Sequence, residues 1–233
     1  LVTHGVRIER RLADSETRHD VVRLIDFDDP TRNDFVAINQ FTVEQDNKTR
    51  RPDVVLFVNG LPLALFELKV TGQESATLRG AWNQLRTYAK QIPALLAYPA
   101  VQVISTGQQA RMGALGGAFE HYAPWKTIDG ASLAPAATPE LEVLVRGVFA
   151  PEVFLDLVRN FVVFTDERVG LVKRVAKYHQ FHAVNKAVAE TVAAVDRGDG
   201  RAGVVWHTQG SGKSLEMLFY VSKILRHTAL ANP

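Results

Sequence analysis

Cysteine is absent from the 233-residue chain. That excludes a disulfide framework and any thiolate metal site, and it fits a reducing compartment. Long apolar runs are also missing. Stretches such as LPLALF at 61–66 fall far short of the ~18 to 20 residues a membrane-spanning helix needs. No basic-then-apolar segment opens the chain, so a secretory leader is not expected, and neither is a membrane partner. An initiator Met is lacking, since the first residue is Leu1, and the numbering is expected to begin inside a longer protein. Charge of one sign is scarce: 27 Lys and Arg stand against 25 Asp and Glu, a net +2. That balance is compatible with a nucleic-acid partner but does not demonstrate one. The expected location is cytoplasmic. The remaining composition, 46% hydrophobic and 22% charged, is that of one large globular domain or two smaller ones.

Apolar periodicity predicts an α/β order. A strand is expected over 34–45. Two more, DVVLFV and LALFELKV, flank Asn59 and Gly60, a strong hairpin signal. A helix over 75–92 follows, with Leu78, Trp82, Leu85, Ala89 and Ile92 at helical spacing and Pro93 as its stop. Residues 100–106 read as another strand. The Ala/Pro-rich segment 129–140 reads as a linker. Beyond it, helices are expected to begin at Pro139, with Thr138 as N-cap, and at Pro151. A long helix over 174–196 comes next, then a short buried strand GVVWHT and a loop running into a helix. The expected divisions are 1–130, 131–197 and 198–233.

The segment HTQGSGKS at 207–214 lies between an apolar stretch and an amphipathic helix, the setting of a phosphate-binding loop. Gly210 and Gly212 let backbone N–H groups converge on phosphate oxygens, and the helix N-terminus adds its dipole. Lys213 would reach the terminal phosphates and Ser214 would ligate Mg²⁺. His207 stands where the first glycine of the longer phosphate-loop pattern would be. The competing reading is a Gly/Ser turn ahead of a lysine. A motor also needs a later acidic site, and the nineteen residues after Ser214 contain no acidic cluster following a strand. The chain alone is therefore expected to bind ATP without turning it over. A strand–loop–helix without neighbouring strands has an open edge, so 200–233 are expected to be poorly ordered or swapped.

Asp53, Glu67 and Lys69 are charged residues bounding otherwise core-like strands. Glu67 and Lys69 are two apart and share a strand face. A regular two-residue turn at Asn59 and Gly60 would pair Asp53 with Phe66 and send its carboxylate to the opposite face. Convergence therefore requires a bulge or an odd loop, which Gly60 would permit. Converged, the two carboxylates could hold Mg²⁺, with the Leu68 carbonyl as a further ligand and Lys69 orienting or deprotonating a water. The alternative is a solvated strand end with an ordinary Glu–Lys pair. Gln84 and Tyr88, at i and i+4, share a helix face offset from the apolar stripe. They could contact the metal's water shell and a phosphate, or be a surface Gln and a half-buried Tyr. Lys48, Arg50 and Arg51 could touch DNA phosphates or form a solvated loop. His179 and His182 share a helix face and read as structural.

Taken together, NDFVAINQFTVEQDNKTRRPDVVLFVNGLPLALFELK, QLRTY, PWKTIDG, YHQFHAVNKAV and GVVWHTQGSGKS resemble the N-terminal part of the motor and endonuclease subunit of type I restriction–modification enzymes. The resemblance covers nearly the whole chain. It implies a PD-(D/E)xK nuclease-like mixed sheet flanked by helices, a helical connector, and the first strand, phosphate loop and helix of a RecA-like, superfamily 2 helicase domain. It implies catalytic roles for Asp53, Glu67, Lys69, Gln84 and Tyr88, with Asp53 and Glu67 on Mg²⁺. Thr208, Gln209, Gly210, Ser211, Gly212, Lys213 and Ser214 match the ATP loop. Gln180 matches an adenine-reading glutamine, an amide able to satisfy both donor and acceptor on that edge; a capping or surface role is the alternative. Some nucleases of this group add an upstream acid, for which Glu9 and Glu16 are candidates. The implied partners are double-stranded DNA and the methyltransferase and specificity subunits. A rival reading keeps the nuclease fold only as a docking arm that cuts nothing. Another is a helicase-like ATPase with a structural N-terminal domain.

Overall fold

The computed structural model describes residues 2–11, 17–69, 77–167 and 170–230. The chain opens with an antiparallel hairpin, β1 (Val6–Arg11) and β2 (Thr17–Val22). Strand β3 (Phe35–Asn39) is shorter than the expected 34–45. It stops because Gln40 takes a left-handed φ of 52°, and a small separate hairpin follows, β4 (Val43–Gln45) and β5 (Lys48–Arg50). Asp46 and Asn47, both at positive φ, make its two-residue turn, a conformation Asn and Asp tolerate. Next come β6 (Val54–Val58), β7 (Leu61–Leu68), helices α1 (Leu78–Gln91) and α2 (Pro93–Leu96), and strands β8 (Val101–Ser105) and β9 (Ala110–Gly113).

Strands β3, β6, β7, β8 and β9 form a five-stranded sheet in that order. All neighbours are antiparallel except β7 and β8, which run parallel. A parallel pair needs a crossover, and α1 supplies it. Thr77 caps α1 by accepting the Gly80 N–H at 2.9 Å, and Pro93 opens α2 rather than ending all helix. The buried residues of α1 are Leu78, Ala81, Leu85 and Tyr88. The stripe is therefore rotated from the expected one, with Tyr88 inside and Trp82 half-buried.

Both faces of the sheet are covered. Val55, Leu65 and Ile104 pack against α1. Phe66, Val101 and Val103 face a second core, built from the later helices. These are α3 (Glu140–Val148), α4 (Pro151–Asn160), α5 (Tyr178–Arg197) and α6 (Lys213–Ile224), with β10 (Val162–Glu167) and β11 (Gly170–Val175) forming a hairpin between α4 and α5. Three expectations change here. Helix α3 starts one residue later than expected, with Pro139 as its cap position. The β10–β11 hairpin replaces the end of one expected helix and the start of the next; its runs VVFT and LVKRV are β-branched and apolar enough to pair. The expected buried strand GVVWHT is neither strand nor buried: no described strand pairs with it, and Val204 and Trp206 are each 88% exposed. Helix α6 nonetheless packs on α5 and inserts Phe219 into the same core as Phe161 and Phe181.

Gly147 shows how tightly α3 approaches the segment before it. A Cβ there would sit 2.3 Å from the Thr127 carbonyl oxygen and 2.7 Å from the Trp125 indole nitrogen. The Gly147→Ala protein is expected to lose about 1–3 kcal/mol by overpacking, measured by urea denaturation.

Candidate functional site

Convergence of Asp53 with Glu67 depends on one extra residue. Asn59 and Gly60, at φ 50° and 79°, form a two-residue turn with Val58 opposite Leu61. The ladder then shifts between Phe57, paired with Pro62, and Leu56, paired with Ala64. Leu63 is left without a partner on β6, so Leu63 and Ala64 both face the second core. The required bulge is therefore present, but it lies in β7 rather than at Gly60. Pro62, which has no N–H to give the ladder, is the local signal for it. From Val54 opposite Phe66, the register carried one step further sets Asp53 across from Glu67, on the α1 side of the sheet.

Glu67 is 3% exposed. Lys69 Nζ donates to its Oε1 at 2.6 Å and Tyr88 Oη donates to its Oε2 at 3.0 Å. Burial pushes the Glu67 carboxyl above its usual range, the Lys69 hydrogen bond pulls it back, and the nearby Asp53 charge pushes it up again. Burial likewise raises the Tyr88 phenol, while a hydrogen bond from Gln84 opposes that. Gln84 thus acts on Tyr88, and Tyr88 on Glu67. Asp53 is held from two sides: Gln40 Nε2 donates to Oδ1 at 2.9 Å and the Leu68 N–H to Oδ2 at 2.7 Å. Gln40, whose own N–H donates to the Asp53 carbonyl at 2.9 Å, was not legible in the sequence. Its positive φ is a tertiary feature.

Among the described residues each of the four carboxylate oxygens accepts one donor, and a carboxylate oxygen has lone pairs for more than one. A buried Glu67 carboxyl whose proton affinity is raised by burial and by the facing Asp53 charge is a donor set a hard divalent cation relieves. Asp53 and Glu67 are the residues that could hold Mg²⁺ here. Lys69→Met gives a test of the electrostatics. Glu67 binds its proton more tightly folded than unfolded, so its contribution to stability is full below 4.5 and is lost as pH rises through the raised folded value. Removing Lys69 raises that value further. The variant is expected to match wild type in acid and to lose about 1–3 kcal/mol in mildly alkaline buffer, read by thermal melts at both pH values.

The other predicted residues fall elsewhere. Glu9 lies on the exposed β1–β2 hairpin, 3.8 Å from His19, and Glu16 lies outside the described residues. Arg50 Nε donates to Gln91 Oε1 and Arg51 Nε to Thr42 Oγ1 at 3.2 Å, while Lys48 is exposed.

In the phosphate-type loop, Gly210 and Gly212 take φ of 80° and 90°, and α6 starts at Lys213. Lys213 Nζ folds back to the carbonyls of His207 (3.1 Å) and Thr208 (2.9 Å). Thr208, Gln209 and Ser214 lie along the same turn, with Ser214 in the first turn of α6. Gln180 is 2% exposed. Its Oε1 accepts the Lys177 N–H at 2.9 Å, and its Nε2 donates to the Ser211 and Gly212 carbonyls at 3.2 and 3.3 Å. It caps α5 and braces the loop at once. A Cβ on Gly212 would stand 2.5 Å from that amide nitrogen. His179 and His182 part company: His182 packs on Trp125 and Phe181, whereas His179 turns to His207.

Fold and site together define an α/β protein with a buried carboxylate–lysine cluster at a strand end and a separate glycine loop opening a helix. Comparison with known proteins is specific. The family described as the type I restriction enzyme R protein N terminus matches residues 1–121, and the SWI2/SNF2 ATPase family matches residues 179–233. The chain belongs to the type I restriction enzyme R protein family. It is 43% identical to the type I restriction enzyme HindI endonuclease subunit of Haemophilus influenzae, over 100% of the chain and 22% of that protein. It is 31% identical to the MjaIXP protein of Methanocaldococcus jannaschii, over 100% of the chain and 24% of the relative. The SauCOLORF180P endonuclease subunit of Staphylococcus aureus is 28% identical over 83% of the chain and 20% of its own length. The chain thus spans under a quarter of the length of these relatives. Among the described residues no helix is long and apolar enough to cross a membrane.

Proposed function

We propose that the chain is the front of a restriction subunit, with a Mg²⁺-dependent DNA endonuclease of the PD-(D/E)xK type over residues 1–130. Residues 131–197 connect it to the start of an ATP-driven, helicase-like DNA motor over 198–233. The observation that carries this reading is Asp53 set across from Glu67 with Lys69 on the same carboxylate. A bound Mg²⁺ would supply an acidified water and a polarised phosphate. Asp53 and Glu67 hold the ion, Gln40 and the Leu68 N–H fix the Asp53 carboxylate, and Tyr88, tuned by Gln84, fixes Glu67. Lys69 gives up its bond to Glu67 to orient or deprotonate the attacking water.

In the motor part, Lys213 would turn from the His207 and Thr208 carbonyls to hold the phosphates of ATP, and Ser214 would hold the accompanying Mg²⁺. The amide of Gln180 reads adenine by exchanging its present partners. Val204, Trp206, Met217, Leu218, Val221 and Leu225 are exposed apolar side chains, of the kind that further motor strands would cover. In the cytoplasm, double-stranded DNA is the substrate. A methyltransferase and a specificity subunit are the partners, with sequence recognition left to the latter.

The test is DNA cleavage by the reconstituted complex with ATP, comparing wild type with Asp53→Ala, in Mg²⁺ and after chelation. Cleavage that needs both the metal and Asp53 supports the reading. Metal-dependent cleavage by the Asp53→Ala complex at the wild-type rate would leave only a docking arm.

A further inference from the structure

At the base of the phosphate-type loop, three metal-ligating side chains meet away from the Asp53 and Glu67 pair. His179 comes from the first turn of α5, His207 from the segment before the loop, and Glu216 from the first turn of α6. One ligand atom of each lies within 4.8 Å of the others, and among the described residues this is the one group of three so placed. His207 Nδ1 is 2.6 Å from Glu216 Oε1, and the His179 and His207 rings are 5.2 Å apart, edge to face. His179 Nε2 lies 3.1 Å from the Ser211 carbonyl. Glu216 is 6% exposed, and a carboxylate so buried needs a proton, a cation or a metal as partner. Beside it, the Ser211 hydroxyl is buried and has no hydrogen-bond partner among the described residues.

Two imidazoles and one carboxylate are a borderline donor set. It selects Zn²⁺, Co²⁺ or Ni²⁺ over Mg²⁺, which wants oxygen alone. Zinc–ligand bonds of about 2.0–2.1 Å place tetrahedral ligand atoms about 3.3 Å apart. The His207 and Glu216 atoms are 2.6 Å apart, so that pair must open by about 0.7 Å, and His179 must swing in by a side-chain rotation that gives up the Ser211 carbonyl. The ion then replaces the proton shared by His207 and Glu216.

We propose that His179, His207 and Glu216 bind one transition-metal ion of the Zn²⁺ class, with its fourth position open to water. The three ligands come from three segments that the sequence does not place near one another. The ion therefore ties α5, the segment before the loop and α6 into one unit, and it stabilises the chain by linkage. The site stands apart from the proposed endonuclease and does not depend on it.

The experiment titrates the full chain, stripped with EDTA, with ZnCl₂ in a calorimeter and with CoCl₂ in a spectrophotometer. One Zn²⁺ per chain, a rise in Tm with zinc, and the intense visible bands of tetrahedral cobalt are expected. His179→Gln and Glu216→Gln should each weaken Zn²⁺ binding by about tenfold or more, while His19→Gln, on the exposed hairpin, leaves it unchanged. The cobalt spectrum needs no variant, so the test survives if a substitution fails to fold. Absence of saturable binding, a weak octahedral cobalt spectrum, or zinc binding unaffected by either ligand variant would overturn the site.

Discussion

Replacing Glu67 with glutamine in the assembled complex is expected to cut DNA cleavage by about 10²–10³-fold while ATP hydrolysis stays at the wild-type level. Glutamine keeps the size of the side chain and still accepts a hydrogen bond from Tyr88, so the packing around α1 is preserved. What disappears is one of the two negative charges that face each other across β6 and β7. A neutral amide is a poorer Mg²⁺ ligand and offers Lys69 no ion pair. Stability carries a matching signature. Wild type loses a contribution as pH rises through the raised Glu67 value, and the glutamine protein has no carboxyl there to titrate. Denaturation across that range should therefore show a pH slope in wild type that the variant lacks. Undiminished cleavage by Glu67→Gln would remove the carboxylate pair from the chemistry.

Phe161→Ala is expected to cost about 3–5 kcal/mol of folding stability, read from urea midpoints. Phe161 has no exposed surface and sits where α4 hands over to β10. Its ring centroid lies 4.6 Å from that of Phe181 on α5 and 5.5 Å from that of Phe219 on α6, and Lys223 Nζ lies 5.2 Å from it. Its carbonyl also accepts the Ala176 N–H at 3.0 Å. No single neighbour can relax into the space, because three helices and a hairpin meet at one ring. Phe164, in the same hairpin, is 63% exposed, and Phe164→Ala should change stability by no more than about 0.5 kcal/mol. Equal effects at the two positions would mean that α5 and α6 do not lean on Phe161 as described.

Local rules read the short elements well. The turn at Asn59 and Gly60, the helix of Leu85 and the Pro151 start of α4 all follow from side-chain type and spacing. The misreadings share a cause. Residues 162–175 carry apolar spacing that serves a helix or a hairpin, and only pairing across the turn selects the hairpin. GVVWHT has strand composition, but a strand needs a neighbour to take its N–H and C=O groups, and no described strand pairs with it. Tyr88 lay outside the stripe read from spacing; the sheet residues that share its core cluster, Val55 and Leu65, come from two separate strands.

Alone, the order of residues determined the chemical inventory: Asp, Glu and Lys at strand ends, a glycine loop with its lysine, and too little apolar length to enter a bilayer as a helix. Tertiary structure decided which of these meet. One unpaired leucine in β7 turns Asp53 and Glu67 to the same side, and helix packing brings His179 to His207 and Glu216. Such meetings join residues far apart along the chain, where side-chain propensity and periodicity, which act over a few residues, carry no information.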